Sequence, residues 1–155
     1  MLFSRTYRYN TKVGIEDIKR RLIGQHVKIH NLDFEIFEKD HMVKVIPHAE
    51  QIENIKTLPI THVEFKGQGS QTKMIISSKM RKIDKGGPLI IIWFTLFMLI
   101  AAVLLAYYAE GYINTAAILG GIAVLVFVVF WIRLETGYFD YVRKIRDYIK
   151  KHGTE

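Results

Sequence analysis

Five histidines, His26, His30, His41, His48 and His62, fall within the first 62 residues, and convergence of three of them would be the most distinctive chemistry available to this chain. Neutral imidazoles ligate transition metals, and His26 and His30 on one strand face could hold an ion together with His48 or His62. Their spacing contains no paired-histidine helix with a glutamate and no tight ligand repeat. Solvated strand and turn positions account for them, so the reading assigns no metal and no cofactor. Ser4, Ser70, Ser77 and Ser78 are available as nucleophiles, yet none follows the strand–turn–helix pattern that exposes and activates a serine. The stretch Gly67-Gln68-Gly69-Ser70 has the composition of a phosphate-binding loop but lacks the following lysine and helix, and it reads as a hairpin turn. Carboxylates stand mostly beside a Lys or Arg, as on a solvated surface. No catalytic residue is assigned, and the expectation is a non-enzymatic protein. With no cysteine in the chain, disulfides, thiolate metal sites and cysteine nucleophiles are excluded.

The elements that carry these residues follow from how charge is distributed along the 155 residues. Residues 1–88 hold 16 of the 22 Lys and Arg and 10 of the 15 Asp and Glu, a net +6. Residues 89–132 contain Glu110 as their only charge. A soluble core mixes charge through every element, and this pattern does not. Residues 89–108 and 113–132 are two uncharged runs of twenty, each about 30 Å long as a helix, which matches the hydrocarbon thickness of a bilayer. Only Ala109 to Tyr112 separates them, so they form an antiparallel hairpin, with the transmembrane segment reading as 89–134.

Orientation follows from the basic residues. Lys79, Arg81, Lys82 and Lys85 precede the first span, and Arg133, Arg143 and Lys144 follow the second, while the link carries no Lys or Arg. Positive residues stay on the cytoplasmic side, which puts both termini inside and the link outside. Trp93 and Trp131 then fall near the inner boundary, and Tyr107, Tyr108 and Tyr112 near the outer one. The seven basic residues are candidates for contact with anionic headgroups. The first thirty residues contain no apolar run of signal length, and a cell inner-membrane location is expected. In the second span, Ala116 with Gly120 and Ala117 with Gly121 are four apart, a candidate helix-docking face.

Residues 1–88 read as a cytoplasmic α+β domain. LFSRTYRYN is a strand, Gly14–Ile23 a short helix with Ile15, Ile18 and Leu22 on one face, and Gly24 its stop signal. HVKIH, then DFEIFE and MVKVIP around the turn EKDH, are strands, and AEQIENIK is a possible helical turn or two. ITHVEFKG and QTKMIISSKMRKID make a second hairpin, whose last strand is expected to run through Gly86-Gly87-Pro88 into the membrane. Strand, helix and four or five antiparallel strands resemble, in element order alone, the first half of helix-grip folds, which bind lipids and other apolar ligands. Residues 135–155 form a basic amphipathic helix with Tyr138, Tyr141, Val142, Ile145, Tyr148 and Ile149 on one face. That stripe is expected either to lie on the inner membrane surface or to pack on the sheet.

The sequence therefore points to an α+β domain followed by a two-helix transmembrane hairpin and a C-terminal amphipathic helix. The function expected is an accessory or scaffold subunit of a larger membrane complex. Its expected partners are membrane lipids and a partner membrane protein or a second copy of the chain, with no nucleic acid. The alternative is a membrane-surface module that binds lipid or another apolar ligand on the N-terminal sheet.

Overall fold

The computed structural model describes residues 3–30, 32–39, 42–48, 58–68, 71–109 and 111–154. The expected helical turns over residues 49–56, the tip of the turn at Asp40 and His41, Gly69, Ser70 and Glu110 lie outside the described residues. The chain divides into two compact units, Met1–Arg81 with Tyr138–Glu155, and Lys82–Gly137.

In the first unit, strand β1 (Ser4–Thr11) is followed by helix α1 (Ile15–Leu22), then by β2 (His26–Ile29), β3 (Leu32–Lys39), β4 (Met42–Pro47), β5 (Pro59–Gln68) and β6 (Gln71–Met80). These make one six-stranded sheet in the order β1-β6-β5-β4-β3-β2, with every pairing antiparallel. Glu16 and Asp17 in the first turn of α1 and Lys19, Arg20 and Arg21 in its last suit the helix dipole. Gly24 ends it at φ 78, a left-handed position, and its N–H bonds the Ile36 carbonyl at 2.9 Å.

Alternation decides which face of the sheet is buried. Val27, Ile29, Phe34, Ile36, Val43, Val45, Val63, Met74 and Ile76 share the inner face, and Ile18 and Leu22 of α1 pack on it. Across β5 and β6, the buried hydroxyls of Thr61 and Ser78 satisfy each other at 2.8 Å in a directly opposed pair.

Helix α4 (Tyr138–Thr154) completes this unit. Its stripe of Tyr141, Ile145 and Ile149 belongs to the same core, so of the two expectations for the stripe the sheet is the one observed. Its basic flank is used as well. Arg146 lies over the Tyr7 ring at 4.9 Å and Lys150 over Tyr9 at 5.3 Å, while Arg5 of β1 covers Phe139 at 4.3 Å. Gly153, in the last turn, lets the helix approach closely: a Cβ there would stand 3.2 Å from the Met74 sulfur. The Tyr138 hydroxyl donates to the Phe3 carbonyl at 2.7 Å, and that carbonyl also accepts the Met80 N–H at 3.4 Å.

The second unit is an antiparallel pair, α2 (Gly86–Tyr108) and α3 (Ile113–Thr136), preceded by a 3-10 turn at Ile83–Lys85. The expected strand through Gly86-Gly87-Pro88 does not form; β6 ends at Met80 and these residues open α2 instead. Proline is accommodated there because N–H groups of a first helical turn have no intrahelical acceptor. Between the helices, Gly111 adopts φ 85 and the Tyr112 N–H bonds the Ala109 carbonyl at 3.2 Å. Gly137 separates α3 from α4, and a Cβ there would meet the Arg133 carbonyl at 2.9 Å.

Candidate functional site

The packing of α2 against α3 inverts the order found in a soluble protein. Its buried positions are Pro88, Thr95 and Ala102 on α2 and Ala116, Ala123, Phe130 and Leu134 on α3. Thr95 to Ala102, and Ala116 to Ala123 to Phe130, recur every seven residues, the spacing that keeps one seam facing a partner helix. Small side chains let the backbones approach, and Gly120 is placed so that a Cβ would sit 3.7 Å from that of Ala102. The Thr95 hydroxyl is satisfied within its own helix, shared between the Ile91 and Ile92 carbonyls at 3.0 and 2.9 Å.

Apart from Phe130 and Leu134, most of the large apolar side chains point the other way. Trp93 is 66% exposed, Phe97 70% and Leu125 65%, and of each helix's apolar stretch only 11% is buried. The core helix of a soluble protein would be mostly covered. Both helices are long and apolar enough to cross a membrane.

The four small residues of the candidate docking face divide between two surfaces. Ala116 and Gly120 turn toward α2, Ala116 buried and Gly120 against Ala102. Ala117 and Gly121 are exposed, and a Cβ on Gly121 would meet nothing within 4 Å. Four-residue spacing alone could not separate the two pairs; the seven-residue recurrence of Ala116 and Ala123 was the signal that does.

The seven basic residues also fall into groups. Lys82, Lys85 and Arg133 belong to the hairpin, at the end where α2 begins and α3 finishes. Lys79 is exposed on β6, opposite Ser4 and Ile60, and the Arg81 N–H bonds the Leu58 carbonyl at 3.3 Å. On α4, Lys144 lies 3.1 Å from the Asp140 carboxylate and Arg143 4.0 Å from it.

Asp140 anchors a cluster that sequence reasoning missed. His30, at φ 55 after β2, brings its Nε2 within 2.9 Å of Asp140 Oδ2 and 2.9 Å of the Lys144 ammonium. A carboxylate only accepts and an ammonium only donates, so Nε2 serves Asp140 when protonated and Lys144 when not. The hydrogen bond from His30, together with Lys144, holds the Asp140 carboxyl below its usual range. These groups are largely solvent-exposed, so the cluster fastens the turn after β2 to the start of α4 with modest energy.

Of the other histidines, His26 is in β2, His62 in β5, His48 just past the end of β4 and His152 on α4. His26 Nδ1 donates to Asp33 Oδ2 at 2.8 Å, and its ring centroid is 6.4 Å from that of His48. His62 is pushed below its ordinary pKa by burial and then by Lys44 and Lys79. Among the described residues, no group of three or more His, Cys, Asp or Glu is arranged to hold a metal ion. Compared with protein-family models, with curated proteins and with solved structures, the chain matches none.

Proposed function

We propose that this chain is a two-pass membrane protein whose sheet unit and both termini face the cytoplasm, and that it serves as a non-enzymatic accessory or scaffold subunit of a larger inner-membrane complex. The observation that carries the membrane reading is the packing of α2 and α3, with Thr95, Ala102, Ala116 and Ala123 inside and Trp93, Phe97 and Leu125 outside. In water such a surface would aggregate, whereas in a bilayer it is the low-energy arrangement. The cationic end of the hairpin, with Lys82, Lys85 and Arg133, supports a cytoplasmic placement of that end.

The scaffold reading draws on two features. Ala117 and Gly121 leave a shallow exposed strip on α3 on which a second helix can lie closely. The sheet's inner face is filled by its own chain, with Ile18, Leu22, Tyr141, Ile145 and Ile149 packed across it, which leaves outer surfaces for interaction. That filled face also weighs against the alternative of a lipid or apolar-ligand module built on the sheet. Affinity purification of the full chain from its native membrane in mild detergent, with mass spectrometry, tests the proposal. Stoichiometric partner proteins are expected; recovery as a free monomer would overturn it.

A further inference from the structure

Between α2 and α3, Ile91, Leu125, Val129 and Phe130 line an open groove of about 350 Å³, and Arg133 stands at its end. Along α3 the groove runs from Leu125 to Arg133, about 12 Å of helix. Every lining side chain but one is apolar; the exception is a guanidinium. A second groove on α3, of about 330 Å³ and lined by Phe127, Val128, Trp131 and Ile132, has no cation. Arg133 is exposed, and the ion pairs among the described residues do not use it. Lys82 and Lys85 lie at the same end of the hairpin, as do Asp84 and Glu135, so that three cations stand there against two anions.

We infer that this groove is a binding site for one anionic glycerophospholipid, with an acyl chain along Leu125, Val129 and Phe130 and its phosphate on Arg133. The inference rests on the membrane reading above. Lipid tails are as apolar as the groove itself, so the chain gains little by moving from bulk lipid and selectivity must come from the headgroup. Guanidinium supplies it, because its planar fork meets two phosphate oxygens at once. Basic pockets at the cytoplasmic ends of membrane helices are where such headgroups are held.

The test uses the full chain in a neutral detergent, titrated with phosphatidylglycerol or phosphatidylcholine and read by native mass spectrometry. One phosphatidylglycerol per chain is expected to bind saturably, with phosphatidylcholine weaker by about tenfold, near 1.4 kcal/mol. Arg133→Gln should remove that preference and Arg133→Lys should keep part of it. Val129→Trp fills the groove with the charge intact and should lower phosphatidylglycerol occupancy, whereas Lys28→Gln, an equal charge change on the sheet, should leave it unchanged. Equal binding of the two lipids by the unaltered chain overturns the inference, as does Lys28→Gln acting as strongly as Arg133→Gln. Alkaline carbonate extraction of native membranes separates the two levels. Release into the soluble fraction sinks the membrane reading and the site with it; retention with headgroup-blind binding sinks the site alone.

Discussion

Excising residues 82–137 and joining Arg81 to Tyr138 through about five Gly and Ser residues, a reach of roughly 17 Å, should give a soluble folded domain. The reason lies at one backbone oxygen. The Phe3 carbonyl accepts both the Met80 N–H and the Tyr138 O–H, at 3.4 and 2.7 Å, so the strand that leaves the sheet unit and the helix that returns to it meet at the same point. The Tyr138 hydroxyl is buried and its pKa is raised far above the ordinary range, mainly by that burial, so it stays a donor at any working pH. In the excised chain, Tyr138→Phe would leave the carbonyl with its longer bond alone, at a cost of about 1–2 kcal/mol. For a domain near 100 residues that is a fall of about 5–15 °C in Tm. Omitting α4 altogether removes the buried side chains of Tyr141, Val142, Ile145 and Ile149, each worth about 1.5–3 kcal/mol, and bares the sheet face they pack on, a loss comparable with the whole net stability of such a domain. Detergent-free gel filtration, circular dichroism and thermal melts would follow all three chains. Aggregation of the excised chain under conditions where the full chain is folded would refute the reasoning. An unchanged melt without α4 would do so equally.

In the hairpin, Gly120→Ala should be tolerated, because its methyl would make an ordinary contact with Ala102, whereas Ala123→Phe at a fully buried seam position should cost about 1–3 kcal/mol in an SDS titration of the detergent-purified protein. His62 titrates below 6.5 in the folded chain and near 6.5 when unfolded, so the unfolded state binds the proton more readily. Stability should therefore be flat above that value and fall as pH drops from about 6.5 toward the folded pKa, and His62→Gln should flatten the urea-midpoint profile in that window. The absence of native cysteine permits clean topology mapping. Cysteines at Lys66 and Lys151 should react only with a reagent admitted to the cytoplasm, and one at Tyr112 only with an impermeant reagent outside; any reversal contradicts the proposed orientation.

Local pattern made much of this architecture readable. Alternation in His26–Ile29 and Met42–Pro47 sets which side chains face the core, and the uncharged stretches set the long helices. Gly24 ends α1 where its type predicts. What stayed hidden is non-local. The pairing of β1 with β6, Ser4 opposite Lys79, joins residues at opposite ends of the sheet segment, and no local periodicity encodes a partner. The stripe on α4 declared an apolar surface nearby without saying whether it was lipid or protein, because both reward the same residues. Gly86, Gly87 and Pro88 read as a strand running into a span, since these are poor helix formers; first-turn placement removes most of that penalty. At the candidate sites, the gathering of Lys82, Lys85 and Arg133 at one end of the hairpin was legible, because the short link forces the two runs antiparallel. The His30–Asp140–Lys144 cluster spans 114 positions and left no trace in spacing.

The sheet unit is assembled from two stretches of chain with the hairpin lying between them in sequence, and this has a consequence for biogenesis. During synthesis α1 and all six strands emerge first, yet the apolar face is covered only in part, by Ile18 and Leu22, until residues 138–155 arrive. On the membrane reading, those residues reach the sheet's compartment when both spans cross and are separated from it when only one does. A single failed crossing would strand α4 on the far side of the bilayer and leave Phe34 and Met74, which Tyr141 and Gly153 cover, open to chaperones and proteases. Closure of the sheet would thus report on insertion of the hairpin, so that a mis-threaded chain marks itself for removal before it can join any assembly.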